Sequence, residues 1–205
     1  METYQTVQTA GEAVIVEKKS RFISRAAHAQ TEEEALAFLQ TIRRAEPQAS
    51  HHVYAYVLRE GARTRYSDDG EPQKTAGLPV LEVLRGFPVT DTVLVVTRYF
   101  GGTLLGTGGL VRAYTASAQK ALAAAQISRV SLCCTLALTV DYALRDAVVK
   151  LIEDAGAKEL QISYGQQVTL SFCMLAGQEE PLIEALREVT RGGEVICGDP
   201  FFAPF

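Results

Sequence analysis

The chain has 205 residues, 47% of them hydrophobic and 21% charged, which is enough apolar material to bury a core without metals or disulfides. This composition excludes a disordered tail and a coiled coil. The net charge of −4 divides unevenly, because residues 1–130 carry +2 and residues 131–205 carry −6. Since non-specific nucleic-acid binding depends on Lys and Arg that neutralise phosphates, any such surface is expected on the first part.

Other sequence features bear on where the protein works. The longest apolar runs, such as residues 93–96, are far shorter than the roughly 20 residues that cross a bilayer. The first residues lack the basic and apolar regions of a secretory signal. The four cysteines contain no C-x-x-C pair. We therefore expect a cytoplasmic protein with no membrane association, no disulfide framework and no cofactor.

The first 130 residues predict a mixture of strands and helices. A strand is expected at 14–16, and a second begins near Phe22. Thr31 and Glu34 form a capping box ahead of a helix that ends before Pro47. The later predicted elements are a strand at 51–59, a short helix at 75–84, a fully buried strand at 92–97 and an Ala-rich helix at 110–125.

Residues 131–205 predict a second unit. Apolar and polar residues alternate between 131 and 140, which is typical of a strand covered on one face. Two later segments have the i, i+3, i+4, i+7 spacing of an amphipathic helix. The predicted elements in order are a strand at 131–140, a helix at 144–151, strands at 160–162 and 168–174, a helix at 182–189 and a strand at 195–197.

This βαββαβ order predicts a ferredoxin-like α+β sandwich for the second unit. We therefore divide the chain into domains 1–130 and 131–205, with a short joint at 127–130. The final segment, residues 199–205, contains three Phe and is expected to cover a sheet edge or the domain joint.

Residues 66–79 are unusual for a connection, because three carboxylates fall within four residues. One interpretation is an exposed acidic turn that bends after Asp69, with Thr75 as a helix cap. Another is a cluster of Asp68, Asp69 and Glu71 that binds a divalent cation or orients an arginine, since hard cations take several oxygen ligands. The same three side chains are the candidates for acid–base chemistry, although no catalytic residue and no metal site is assigned.

Residues 98–114 combine the end of a strand, a glycine-rich turn and the start of a helix. Glycines permit close backbone approach, and the first N–H groups of a helix favour anions, so a phosphate or carboxylate fits there. Arg98 and Arg112 flank the turn, while Tyr99 and Tyr114 can stack on a base or form a hydrogen bond. Neither a Walker A loop nor a dinucleotide fingerprint is present. The alternative is that the glycines only allow close helix packing.

The remaining polar residues give weaker signals. Lys19 and Arg21 belong to a small basic run near the first predicted strand. His51 and His52 are adjacent, so in a strand they point to opposite faces and do not readily chelate one metal. No serine lies in a Gly-x-Ser-x-Gly elbow, and no nucleophile is assigned.

Taken together, the acidic and glycine-rich segments resemble the signature of the IMPACT/YigZ family. One departure is Lys74, because the family usually has glycine before Thr-Ala-Gly. The matching residues are 67–72, 75–77, 79, 98–102, 105–106 and 108–114, with weaker matches at 19, 20, 22, 50 and 51.

The resemblance implies a first domain similar to the second domain of ribosomal small-subunit protein five. It implies a second domain similar to the fifth domain of elongation factor G. Both of those proteins work in translation. For eukaryotic members the family implies regulation of translation through a protein partner, and for bacterial members nucleic-acid or nucleotide binding is the usual proposal.

Functions of different classes remain open, and the sequence specifies no oligomeric state. The favoured one is a binding or regulatory protein linked to translation, with RNA, the ribosome, another phosphate-bearing ligand or a protein as its partner. The alternative is an enzyme acting on a small anionic or phosphorylated substrate, and a third interpretation makes the three carboxylates purely structural. The residues predicted to contact the ligand are Lys19, Arg21, His51, Arg98, Tyr99, Gly101, Gly102, Gly106, Gly108, Gly109, Arg112 and Tyr114.

Overall fold

The computed structural model describes residues 3–205, which form two compact units. The first unit spans Tyr4–Ser128, and the second consists of Thr3 with Arg129–Phe205. Both combine helices with antiparallel strand pairs, which confirms the α+β class. Among residues 3–205, no helix is long and apolar enough to cross a membrane.

In the first part of the chain, the described residues from 3 onward form six strands and three α-helices. The strands are β1 (Thr3–Thr9), β2 (Gly11–Glu17), β3 (Ser20–His28), β4 (His51–Val57), β5 (Thr64–Ser67) and β6 (Thr92–Tyr99). The helices are α1 (Glu32–Ala45), α2 (Gly77–Gly86) and α3 (Thr107–Ala124). Five of the strands form a sheet in the order β2-β3-β6-β4-β5.

Helices cover both faces of this sheet. Helices α2 and α3 pack on one face through a core that includes Leu84 and Leu122, and α1 packs on the other through Leu39 and Ile42. The central strand β6 is therefore buried on both faces, as its continuous apolar run predicts. The predicted cap of α1 is confirmed, because Thr31 Oγ1 accepts the Glu34 N–H at 3.2 Å.

The turn between β2 and β3 is a two-residue hairpin formed by two lysines. Lys18 and Lys19 both have positive φ, at 45° and 67°, as a type I′ turn requires. A Cβ on Gly101 would lie 2.0 Å from the carbonyl carbon of Lys19, so only glycine permits this approach. The hairpin tip is thereby held directly against the glycine-rich turn.

The second part of the chain is ferredoxin-like, as its element order predicts. Its elements are β7 (Gln126–Val140), α4 (Arg145–Asp154), β8 (Lys158–Tyr164), β9 (Val168–Leu175), α5 (Glu180–Val189), β10 (Val195–Cys197) and β11 (Phe201–Pro204). The strand order is β10-β7-β9-β8, and the inward face of the sheet packs on α4 and α5 around Leu136, Ile152 and Leu186. Strand β11 pairs with residues 130–133 of β7, so the Phe-rich end covers part of that strand.

Three features differ from the expected elements. Strands β1 and β5 were not predicted, and the boundary between the two units, which falls after Ser128 as expected, lies inside the continuous strand β7 and not in a loop. Strand β5 has four residues, none of them buried, and pairs only with β4 at the edge of its sheet. Such a strand is stabilised by its neighbour's backbone and carries no apolar alternation of its own.

Candidate functional site

The acidic segment and the glycine-rich segment meet in a buried ion pair. Arg98 Nη1 donates to Glu71 Oε1 at 2.6 Å, and the Tyr114 hydroxyl donates to the same oxygen at 2.7 Å. Arg98 Nη2 donates to Ser20 Oγ at 3.3 Å, and that oxygen also accepts the Gly101 N–H. Only 8% of Glu71 and 5% of Arg98 is exposed. The Glu71 carboxylate therefore links the end of β6 to helix α3 directly. Through Arg98 and Ser20 it is also connected to the start of β3 and to the glycine-rich turn.

Burial governs the ionisation of the Tyr114 hydroxyl in this cluster. It raises the pKa of Tyr114 far above the ordinary value, and the nearby Glu71 carboxylate raises it further. Tyr114 is accordingly a neutral hydrogen-bond donor at physiological pH. An ion pair at this depth has to be matched by hydrogen bonds, because removing two charges from water is costly. Ser20 and Tyr114 supply two such bonds, while Arg98 Nε has no hydrogen-bond partner among residues 3–205.

The Asp68 side chain caps the start of helix α2 from outside the helix. Its carboxylate accepts the backbone N–H groups of Lys74, Ala76 and Gly77 at 2.8–3.1 Å, two on Oδ1 and one on Oδ2. These groups include N–H donors at the helix start that have no partner within the helix. Lys74 has φ of 62°, a conformation that favours glycine.

Asp69 holds the acidic turn to the neighbouring elements. Its Oδ1 accepts from Arg43 Nη2 at 2.7 Å, and its Oδ2 accepts the His52 N–H at 2.6 Å. Asp68, Asp69 and Glu71 thus each accept hydrogen bonds from a different set of donors. Among residues 3–205, they do not come together as a group of metal ligands.

A cavity of about 340 Å³ opens beside the buried ion pair. His51, Glu71 and Arg98 line it, and so does the start of α3 at Gly106 and Thr107. Gly106 precedes α3 with φ of 73°, and no side chain among residues 3–205 caps the helix. The unpaired N–H groups of that first turn make the cavity favourable for an anion.

Apolar side chains stand at the mouth of this cavity. Leu104 is 82% exposed and Phe100 is 49% exposed, and both belong to the cavity lining. Large apolar groups exposed beside polar ones are typical of a binding surface. The cavity therefore joins a polar interior to an apolar rim.

Cations surround the same turn. Lys18 and Arg112 line a neighbouring cavity of about 260 Å³, together with Glu17. Among residues 3–205, neither Lys18, Lys19 nor Arg112 has a carboxylate within 4.0 Å. These side chains are exposed. Their charges are therefore available to a ligand.

Two further predicted residues form a separate contact beside the turn. The guanidinium of Arg21 lies 4.7 Å from the centre of the Tyr99 ring. The Tyr99 hydroxyl donates to Glu46, whose other oxygen accepts from Arg25. Hydrogen bonding from Tyr99 and pairing with Arg25 hold the pKa of Glu46 below its ordinary value despite burial.

The residues predicted to contact a ligand thus lie at one end of the first unit, at different depths. Arg98 and Tyr114 are buried in the core. The half-buried residues are His51, Tyr99, Gly101 and Gly109. The exposed residues are Lys19, Arg21, Gly102, Gly106, Gly108 and Arg112. The sequence-based site omitted Ser20, Lys18, Phe100 and Leu104. For Leu104, an apolar residue between two glycine pairs was an available signal; for Ser20, no local pattern indicates its contact with Arg98.

Two family models match the chain, one in each unit. The Impact N-terminal domain matches residues 18–122, and a domain of unknown function (DUF1949) matches residues 138–192. The IMPACT family member YvyE of Bacillus subtilis is 36% identical over 193 residues, which cover 94% of this chain and 89% of that protein. The chain belongs to the IMPACT family.

Other relatives agree with this membership. The IMPACT family member YigZ of Escherichia coli is 35% identical over 178 residues, covering 85% of this chain and 87% of its own. A crystal structure of a hypothetical protein superposes with a TM-score of 0.65 at 32% identity, covering 97% of this IMPACT chain and 98% of the other. The two-domain architecture is therefore shared along nearly the whole length.

Proposed function

We propose that this chain is a translation-linked binding protein that holds RNA, free or within the ribosome, through phosphate contacts at this end of the first unit. The observation that carries the proposal is the grouping of Lys18, Lys19 and Arg112 around the uncapped start of α3. Charged side chains and free N–H groups of this kind are the usual partners of phosphate oxygens. The resemblance of both domains to parts of translation proteins supports the link to translation.

The proposal gives Arg98 a positioning role. Its guanidinium is neutralised by Glu71 and held by Ser20, so it fixes the turn and leaves the phosphate contacts to the exposed cations. Phe100 and Leu104 offer apolar surface beside those cations. An aromatic ring beside a basic groove suits unpaired bases, since stacking on such a ring contributes about 1–3 kcal/mol per base. Single-stranded RNA is therefore the preferred form of the ligand.

The test is a binding titration with fluorescein-labelled single-stranded RNA, read by anisotropy over a range of salt concentrations. The double variant Lys19→Gln, Arg112→Gln removes two of the proposed contacts, and Lys120→Gln, Arg85→Gln is the control with the same charge change at exposed positions. Each lost phosphate contact reduces the salt slope for single strands by about 0.7, so the site variant should lose about 1.4. Equal binding by the two double variants would contradict the proposal.

The ribosome link is tested separately by co-sedimentation with ribosomes from lysate at low and high salt. Wild-type protein is expected to sediment with ribosomes at low salt and to be released at high salt. The site variant is expected to remain in the supernatant, whereas the control variant should behave as wild type. RNA binding without co-sedimentation would retain the phosphate site and reject its placement on the ribosome.

A second candidate function is catalysis on a small anionic substrate in the 340 Å³ cavity. The observation that favours it is the proximity of His51 Nε2 to Glu71 Oε1, at 3.9 Å, with both residues lining that cavity. A histidine beside a buried carboxylate is a common acid–base arrangement. A screen of phosphorylated and anionic metabolites, with and without magnesium, tests it. Turnover abolished by His51→Gln would favour the enzyme, and absence of turnover would reject it.

A further inference from the structure

Three side chains of the second unit lie together away from the site described above. They are Cys134 in β7, Cys197 at the end of β10 and Glu179, which immediately precedes α5. Their potential ligand atoms, two Sγ atoms and one carboxylate oxygen, all lie within 4.8 Å of one another. The sheet register accounts for the two cysteines, because Cys197 pairs with Leu136 and Cys134 is two residues from it on the same face.

The Glu179 carboxylate has no other evident role. Its Oε2 atom is buried and has no hydrogen-bond partner among residues 3–205. Glu179 occupies the residue before α5, yet its side chain does not cap the helix. It also has no basic nitrogen within 4.0 Å in this described part of the chain. A buried carboxylate oxygen without a partner is unfavourable, and a bound cation removes that cost.

We propose that Cys134, Cys197 and Glu179 form a zinc-binding site within the second unit. Two sulfurs and one carboxylate oxygen suit Zn²⁺ rather than Mg²⁺ or Ca²⁺, which take oxygen ligands. Zinc–sulfur bonds of about 2.3 Å place tetrahedral sulfur ligands roughly 3.7 Å apart, so a contraction of at most about 1 Å closes the site. Because Cys197 is exposed, solvent can enter and a water fills the fourth position.

The chemistry of binding requires no oxidant or reductant. Each thiol loses its proton to solvent as its sulfur ligates the metal, so two protons leave when both cysteines bind. Burial raises the pKa of Cys134 to about 12, and repulsion from Cys197 and Glu179 adds to this.

The metal has a structural consequence. Strand β10 has only three residues, and its link to β7 is the pairing of residues 195–197 with 136–138. A zinc ion held by Cys134, Cys197 and Glu179 would fasten β10 and the start of α5 to β7. We expect it to stabilise the second unit, because a ligand that binds only the folded state raises its stability.

The experiment titrates Co²⁺ and then Zn²⁺ into the full-length chain, without an affinity tag, in a phosphine reductant. Tetrahedral cobalt bound to thiolate gives intense near-ultraviolet and visible absorption, and zinc should displace it at one equivalent. The site variants are Cys197→Ser and Glu179→Gln; the controls are Cys173→Ser and Glu180→Gln, which alter a cysteine and a carboxylate of the same unit outside the cluster. Circular dichroism confirms that each variant is folded.

Loss of an outer partner of a metal ligand weakens binding by about 10- to 100-fold, so loss of a ligand should cost at least tenfold. We expect that loss in both site variants and unchanged affinity in both controls. Absence of cobalt absorption in the wild type, or equal affinity in Cys197→Ser, would overturn the proposal. Absence of metal uptake by the reduced chain, together with a Cys134–Cys197 disulfide that forms in air once the reductant is removed, would also overturn it.

Discussion

Replacing Glu71 by alanine is expected to be among the most destabilising single changes in the first unit. The change leaves the Arg98 guanidinium charged in a site where only 5% of the residue is exposed. Breaking a buried ion pair from one side costs about 3–5 kcal/mol. The Tyr114 hydroxyl also loses its charged acceptor, which is worth about 1.5–3 kcal/mol. Because the two effects share one carboxylate, we expect a combined loss of about 4 kcal/mol.

A surface pair supplies the matched control. Glu82 pairs with Arg85 on the exposed side of α2 at 2.8 Å, so Glu82→Ala removes a similar contact in water. Exposed helix pairs of this kind contribute about 0.2–0.5 kcal/mol. The double replacement Glu71→Leu, Arg98→Met removes both charges and retains most of the side-chain volume. Two apolar residues often replace a buried ion pair at little cost in stability. The double replacement should therefore recover much of the loss.

The assay is urea denaturation followed by tyrosine near-ultraviolet circular dichroism. The chain has no tryptophan, and six of its eight tyrosines lie within residues 4–128, so the signal reports mainly on the first unit. Far-ultraviolet dichroism measures both units and detects transitions that do not coincide. A loss below about 1 kcal/mol for Glu71→Ala, comparable with Glu82→Ala, would refute the assigned role of the buried pair.

Three further changes test other parts of the first unit. Lys74→Gly should raise the urea midpoint, since relief of about 1–2 kcal/mol of left-handed strain exceeds the entropic cost of glycine, about 0.5–1 kcal/mol; a lower midpoint would contradict this. Gly101→Ala should cost about 2 kcal/mol or more by denaturation and weaken RNA binding, because its Cβ collides with Lys19; wild-type behaviour in both assays would argue against the close packing. Glu46 has a lowered pKa through Tyr99, so its stabilisation is present above about pH 4.5 and lost as the pH falls further. Glu46→Gln should therefore flatten the acid dependence of the melting temperature, and an unchanged profile would exclude this contribution.

The sequence predicts best the elements whose pattern is local. The unbroken β-branched run of β6 indicates a strand buried on both faces, and the capping box at Thr31 marks the start of α1. In the second part of the chain, the alternation along β7 and two amphipathic helices predict the ferredoxin-like order. Each of these patterns reflects a period of side-chain burial that neighbouring residues express by themselves. Strand β5 has no such pattern, because pairing with β4 is what makes it a strand.

For the site, the sequence by itself determined that acidic and glycine-rich segments exist and that arginines flank the turn. Only the tertiary structure decided that Glu71 receives Arg98 across 27 positions of the chain, while Asp68 caps α2 and Asp69 binds Arg43. Three carboxylates within four residues look equivalent in sequence, because their charge and spacing do not show which way each side chain points in the folded turn. Their roles diverge because the folded turn points each carboxylate at a different donor, and burial then fixes which charges remain free for a ligand.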